Sequence, residues 1–165
     1  MASERFVAAL TAQIGREFAA AHQYVAIGNY YAAETYPQLS AYFYAQAEEE
    51  REHAMKMVNY LIDMGIQPDI GGVESPKGGF GDHVEPIRLA LEQERQVTIK
   101  ISELFEIARE TRDYASEQFM QWFVEEQVEE EATMGDLLAV AERTVSVPML
   151  LEEYLARDKP GARPE

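Results

Sequence analysis

Four glutamates occupy positions where an amphipathic helix normally carries hydrophobic residues. Steps of four and three residues along the chain trace four apolar seams, and each seam has one glutamate near its middle. These glutamates are Glu17, Glu50, Glu94 and Glu130. An ionised carboxylate moved into an apolar interior is destabilising by several kcal/mol or more unless another group compensates its charge. The pattern therefore predicts that cations bind between the four carboxylates.

A histidine and a glutamine extend this set of candidate ligands. Glu50 and His53 form a Glu-x-x-His unit on one helical face, and Gln127 and Glu130 occupy the matching places in a later helix. Carboxylates with one imidazole suit divalent iron or manganese, and two adjacent metal ions can share a bridging carboxylate. The predicted assignment is Glu17 and His53 for the first metal, Glu94 and Glu130 for the second, and Glu50 for the bridge.

Four other residues near these positions allow two interpretations each. Tyr24 follows Glu17 by one heptad, so it either hydrogen-bonds a ligand or gives up an electron, or it simply fills the core. Three glutamates adjoin the candidate ligands, and they either form an ordinary solvated face or gather a further cation. They are Glu49, Glu126 and Glu129.

Five helical segments must position these side chains. The periodicity, capping residues and breakers predict helices at about 3–34, 39–64, 82–111, 113–143 and 149–156. We expect Asp82 to cap the third helix and His22 and His83 to face solvent. The fifth helix is predicted to place its apolar residues on one side, and these are Leu150, Leu151, Tyr154 and Leu155.

The spacing of the ligands predicts how the helices are connected. The sequence offset from Glu17 to Glu50 equals the offset from Glu94 to Gln127, which is typical of two similar antiparallel hairpins. A helix of about 26 residues is roughly 40 Å long, and the glycine-rich segment 65–81 can span roughly 55 Å when extended. The prediction is an all-α, four-helix bundle with one long crossover plus a short fifth C-terminal helix.

Composition limits the remaining possibilities. The 165 residues predict one domain, 1–157, followed by a disordered tail, 158–165. The net charge of -16 disfavours nucleic acid and anionic membranes as partners, and the absence of cysteine excludes thiolate chemistry and disulfides. No apolar run is long enough to span a bilayer, and no secretory signal is recognisable, so we expect a cytoplasmic protein.

With these residues identified, the chain resembles the bacterial non-haem ferritins, members of the ferritin-like di-iron family. The resemblance extends over nearly the whole chain, from Gln13 onwards. Three segments carry its most specific motifs: QAEEEREHAM at 46–55, LEQER at 91–95 and EQFMQWFVEEQVEE at 117–130.

The resemblance implies a function in iron storage and detoxification. It implies a ferroxidase centre, formed by the five assigned ligands with Gln127 alongside and Tyr24 nearby, that oxidises ferrous iron with dioxygen or hydrogen peroxide. It also implies a third iron site at Glu49, Glu126 and Glu129. The family's assembly would be a shell of twenty-four identical subunits that encloses ferric mineral, with the fifth helix packed around the four-fold axes.

Differences from two related families limit which cofactor and which kind of metal site we expect. Bacterioferritins bind haem through a methionine directly after the second-helix glutamate, whereas this chain has Arg51 there, so no haem is expected. They also carry histidine in place of Glu130. The DNA-protecting mini-ferritins lack a fifth helix and place their metal site between subunits, which does not match this chain.

Two other functions use the same residues. A di-iron or di-manganese oxidase of small molecules would need a substrate pocket beside the metals. The bulky residues predicted at that level leave little room for one: Tyr24, Met57, Ile101 and Phe123. A purely structural shell with an inactive site is disfavoured by the complete set of ligands.

Overall fold

The computed structural model describes residues 2–158 and contains five α-helices and no strand in that range. The helices are α1 (Glu4–Ala33), α2 (Pro37–Asp63), α3 (Glu85–Glu110), α4 (Tyr114–Arg143) and α5 (Met149–Asp158). All five predicted helices are present. The predicted tail, 158–165, lies outside the described residues except for Asp158, with which α5 ends. None of the helices in the described range has the length and apolar character needed to cross a bilayer.

Side-chain hydrogen bonds fix where three of the helices begin. The Ser3 hydroxyl accepts a hydrogen bond from the Phe6 amide at 3.1 Å, and Asp113 accepts one from the Ser116 amide at 3.3 Å. Asp82 accepts the amides of Val84 and Glu85, each at 2.8 Å, and so holds the turn that leads into α3, although the helix begins three residues after Asp82 and its N-cap is Val84. These bonds satisfy amides that have no partner inside a helix, so the chain enters each helix at a defined residue.

Two short turns of the same conformation produce the two hairpins. Thr35 and Arg112 adopt positive φ angles of 64° and 55°. In the first turn the Tyr36 amide donates to the Tyr31 carbonyl at 2.8 Å, and the corresponding bond in the second turn is 2.9 Å long. The offset between the turns equals the offset between the first and third seam glutamates. The predicted repeat of two hairpins therefore extends to the backbone of the turns.

The segment between α2 and α3 runs the length of the bundle along α1. The side chain of Gln23 forms two hydrogen bonds with the backbone of Lys77, at 2.8 and 2.9 Å. Further on, the Tyr31 hydroxyl donates to the carbonyl of His83 at 2.6 Å, which places the start of α3 beside the end of α1. Since α1 and α2 are antiparallel, α2 and α3 are parallel. This is the predicted topology with one long crossover.

Two predictions of surface position are wrong. His83 is buried, because its ring packs against the ring of Tyr36 with centroids 6.0 Å apart. Leu150 is exposed, whereas Leu151 and Leu155 are buried against the bundle. Consecutive residues of a helix point about 100° apart, so Leu150 does not share the face of Leu151.

The hydrophobic core is divided into two clusters by the layer of seam glutamates. One cluster contains Tyr24 and Phe43 and includes Leu151 from α5. The other contains Ile14 and Met57 and lies at the opposite end of the bundle. Large fully buried side chains on both sides stabilise the bundle, and this packing holds the polar layer between them in place.

Candidate metal centre

Helices α1, α2, α3 and α4 each contribute one buried glutamate to a single layer. Glu17, Glu50, Glu94 and Glu130 have exposed fractions of 1%, 1%, 2% and 8%, and His53 is buried beside them. The seam pattern predicted this burial. Four acidic side chains and one imidazole are therefore held where water does not reach them freely.

The ligand atoms lie within the reach of metal ions. His53 Nδ1 is 3.6 Å from Glu50 Oε2 and 4.0 Å from Glu17 Oε2, and His53 Nε2 is 3.8 Å from Glu130 Oε1. Atoms of Glu17, Glu50 and His53 lie within 4.8 Å of one another, as do atoms of Glu50, Glu94 and Glu130. Glu50 belongs to both groups. Its position between them suits a bridging carboxylate.

Several of the carboxylate oxygens are buried without a hydrogen-bond donor. Within the described residues, Glu17 Oε2, Glu50 Oε1 and both side-chain oxygens of Glu130 have no hydrogen-bond partner. Buried acceptors are normally paired, because an unpaired one loses its hydration without replacement. A divalent cation would supply the missing interaction, and carboxylate oxygens with one imidazole are suitable ligands for iron. The residues therefore fit two metal ions.

Burial also changes the protonation of the layer. The pKa of Glu50 and the pKa of Glu130 are raised well above the usual 4.5, first by burial and then by the neighbouring carboxylates. Burial raises the pKa of Glu17 as well, although hydrogen bonds and His53 partly oppose the shift. The metal-free site therefore retains protons, which an arriving cation displaces.

The metal-free protein should lose stability as pH rises above 4.5. A carboxyl whose pKa is raised by folding binds its proton more tightly in the native state. Its contribution is fully present below the unfolded pKa and is lost as pH rises through the folded value. Denaturant unfolding with a chelator, between about pH 5 and about pH 8, measures this loss. About 1 M salt, which screens exposed charges, should leave most of the loss in place, and a flat profile there would contradict the prediction.

Tyr24 and Gln127 hold the third seam glutamate. The Tyr24 hydroxyl donates to Glu94 Oε1, and Gln127 Nε2 donates to Glu94 Oε2 at 3.2 Å and to the Glu94 carbonyl at 3.3 Å. Burial and then the Glu94 charge raise the pKa of Tyr24 well above 10.0, so its phenol stays protonated at physiological pH. The sequence placed both residues near the ligands, and the structure gives both a direct contact with Glu94.

Sequence reasoning did not include Gln13 among the site residues. Its side chain is fully buried, and its Nε2 donates to Glu17 Oε1 at 2.7 Å. A glutamine one helical turn before a seam glutamate is the signal that could have identified it, because residues four apart lie on the same helical face.

A cleft of about 450 Å³ reaches the layer at His53. The ring of Trp122 meets the His53 ring edge-on at a centroid distance of 5.4 Å, and the ammonium of Lys56 lies 3.9 Å from the centre of a Trp122 ring. The cleft is lined by Glu49, Glu52, His53, Met55, Lys56, Asn59, Trp122 and Glu126. Three glutamates of this lining, Glu49, Glu52 and Glu126, favour the approach of cations to the centre.

The three residues of the predicted third iron site are not brought together as one group. Glu126 lies within 4.8 Å of ligand atoms of His53 and Glu130. In residues 2–158, Glu49 and Glu129 belong to none of the three-residue groups that could hold a metal. The pKa of Glu49 is raised, first by burial and in part by the Glu126 charge. The third site stays a prediction.

The chain is similar to ferritins in sequence and in structure. A family model described as a ferritin-like domain matches residues 7–144. Ferritin BfrB of Mycobacterium tuberculosis (strain CDC 1551 / Oshkosh) is 45% identical over 154 residues, which cover 93% of this chain and 85% of the relative. The bacterial non-haem ferritin of Staphylococcus aureus (strain MRSA252) is 41% identical over 132 residues, 80% of each chain. An open pore ferritin from Archaeoglobus fulgidus matches with a TM-score of 0.89 at 29% identity, over 99% of this chain and 100% of that one. The chain belongs to the ferritin family.

Proposed function

We propose that this ferritin oxidises ferrous iron at its buried carboxylate layer and keeps the ferric product as an oxyhydroxide mineral inside a protein cage. Iron storage follows from membership of the family. The observation that supports oxidation at this site is the set of buried carboxylate oxygens without hydrogen-bond donors in the described residues. These oxygens match the charge and the coordination preference of iron ions.

The proposed chemistry uses iron as the substrate. Glu17 and His53 bind one ferrous ion, Glu94 and Glu130 bind the second, and Glu50 bridges them. Two ferrous ions each lose one electron, and dioxygen takes up both electrons with two protons to give hydrogen peroxide. Hydrogen peroxide can accept the next two electrons, and with two more protons it gives water. The carboxylates stabilise the higher charge of ferric iron, which lowers the barrier to oxidation.

Two neighbouring features extend this proposal. The Tyr24 phenol, hydrogen-bonded to Glu94, is close enough to supply an electron and a proton to the centre. Glu49 and Glu126 line the cleft at His53 and are candidates, with Glu129, for a third iron ion. Both roles would act after the first pair of iron ions has bound.

Packing disfavours an oxidase of small organic molecules. Met57, Ile101 and Phe123 are buried in the core cluster on one side of the layer, and the ring of Phe123 lies 6.0 Å from the ring of His53, so packed side chains border the centre there. The cleft at His53 carries three glutamates, Glu49, Glu52 and Glu126. Ferrous iron fits this approach better than an organic molecule does.

The function is tested by following oxygen consumption and particle-bound iron together while ferrous iron is added to the purified protein. We expect oxygen uptake in proportion to iron, with the ferric product remaining soluble and attached to the protein. Oxidation no faster than in buffer alone would overturn the proposed activity. Oxidation followed by precipitation of free ferric hydroxide would overturn storage.

The surface around the start of α5 supports a large assembly. Val145, Val147, Met149 and Leu150 are all about half exposed or more, although they are apolar and close in sequence. Such a patch is typical of a surface that contacts another subunit. We propose that these contacts join twenty-four subunits of 18.7 kDa into a shell.

A charged residue in this patch should dissociate the shell. We expect native mass measurement to find a particle of twenty-four subunits for the unmodified protein and smaller species for Met149→Asp, because the carboxylate is unfavourable in an apolar contact. Glu153→Gln, at an exposed position of the same helix, is the control and should leave the particle intact. A stable monomer or dimer of the unmodified protein would refute the shell.

We also propose that the protein holds no haem. Arg51 is exposed on α2 directly after Glu50, and its guanidinium stays protonated at neutral pH. A protonated guanidinium has no lone pair for an axial bond to haem iron.

The cytoplasmic location stays a prediction.

A further inference from the structure

Glu17 has one oxygen held by a side-chain amide and the other without a hydrogen-bond partner in the described residues. Gln13 Nε2 donates to Glu17 Oε1 at 2.7 Å, and both side chains are buried. Glu17 Oε2 has no hydrogen-bond partner in the described range and lies 4.0 Å from His53 Nδ1. In Glu94, by contrast, both oxygens accept hydrogen bonds. Glu17 is therefore prepared to bind a metal ion through one defined oxygen.

An exposed arginine fixes the orientation of the amide. Arg16 Nη1 donates to Gln13 Oε1 at 3.1 Å. A guanidinium can only donate hydrogen bonds, so its partner atom must be an acceptor. The Gln13 amide oxygen must therefore face Arg16, and its NH₂ group must face Glu17. An amide serves here because it can accept from one neighbour and donate to the other.

We propose that Gln13, oriented by Arg16, is a positioning residue for iron oxidation, a role that rests on the proposed function. Its hydrogen bond selects the rotamer of Glu17 and presents Oε2 to the iron ion beside His53. Without this bond the carboxylate can rotate, so the ion must order its ligand as it binds. When a group that hydrogen-bonds to a metal ligand is removed, the metal affinity typically falls by about ten- to a hundredfold.

Cobalt(II) binding to the apo protein tests this role without any iron oxidation. Gln13→Met keeps nearly the same side-chain shape and removes both hydrogen bonds. We expect the dissociation constant of the first cobalt ion to rise about tenfold, with a changed visible absorption spectrum of the bound ion. With ferrous iron, KM should rise more than kcat falls, since the bond acts on binding.

Gln23→Met is the matched control. Gln23 is a second buried glutamine of α1, but its two hydrogen bonds go to the Lys77 backbone in the crossover segment. We expect this variant to lower the melting temperature and to leave cobalt affinity unchanged. An equal loss of cobalt affinity in both variants would overturn the proposal, because it would reflect general loosening of α1.

Variants of Arg16 avoid any change in the buried core. Arg16→Met should weaken cobalt binding in the same direction as Gln13→Met but less, and Arg16→Lys should restore it, because an ammonium also donates to the amide oxygen. If Gln13→Met and Arg16→Met both bind cobalt with wild-type affinity, the positioning role is refuted. If the unmodified protein neither binds cobalt at the centre nor oxidises iron, the proposed function itself fails.

Discussion

Glu50→Ala should abolish rapid oxidation of ferrous iron, with the initial rate reduced roughly a hundredfold or more. Glu50 belongs both to the group that contains Glu17 and to the group that contains Glu94. In the proposed centre, its removal would take one ligand from each ion and the link between them. A loss of only about 3 kcal/mol in transition-state stabilisation is enough for a hundredfold decrease in rate. Stopped-flow measurement of ferric absorbance at the start of the reaction provides the rate.

Two neighbouring glutamates provide controls for this result. Glu48→Ala changes the net charge equally at an exposed position and should keep the wild-type rate. Glu49→Ala should keep the first rapid turnover and change the later ones, as expected of a residue in the cleft beside the centre. The native mass of Glu50→Ala should match that of the unmodified protein. Wild-type oxidation by an assembled Glu50→Ala shell would refute the assignment of the bridge.

The layer of ligands could be predicted because helical periodicity alone decides which side chains face the core. Glu17, Glu50, Glu94 and Glu130 interrupt apolar seams, and burial of those seams brings the four carboxylates together at one level. The topology could be predicted for a similar reason. Short turns require antiparallel neighbours, and only the segment after α2 is long enough to cross the bundle.

Other features depend on contacts that helical periodicity does not encode. The burial of His83 results from Tyr36 on another segment, and the exposure of Leu150 depends on the angle at which α5 docks. Glu152 of α5 accepts the backbone amides of Gln38 and Leu39 at 2.8 and 2.9 Å, which fixes that angle. No local pattern in the sequence of α5 indicates this cap on α2.

The two hairpins are similar in backbone but not in chemistry. At equivalent positions His53 corresponds to Glu130, and Glu50 corresponds to Gln127. Gln127 donates hydrogen bonds to Glu94, whereas Glu50 presents a buried oxygen without a donor in the described residues. Exchange of a carboxylate for an amide thus leaves one candidate for the proposed bridge, Glu50 of the first hairpin.

The buried carboxylates of Glu50 and Glu130 should make the metal-free protein less stable than a variant with uncharged side chains at these positions. Replacing both Glu50 and Glu130 with glutamine should raise the free energy of unfolding of the metal-free protein by about 1–4 kcal/mol near pH 7. The pKa of each carboxyl is raised well above its usual value, which means that folding opposes ionisation. An amide of nearly the same shape carries no charge, and its NH₂ group can donate to Glu17 Oε2, which lacks a donor in the described residues.

Thermal melting with and without a divalent cation separates this effect from packing. A cation that binds only the native state raises the melting temperature with the logarithm of its concentration, and the double variant should lose this response. Glu48→Gln with Glu125→Gln is the control, since both residues are exposed on the same two helices and the charge change is equal. If the control gains as much stability as the double variant, relief of surface repulsion explains the gain. A gain confined to the buried pair, together with loss of the cation response, means that the layer is maintained for metal binding and destabilises the metal-free fold.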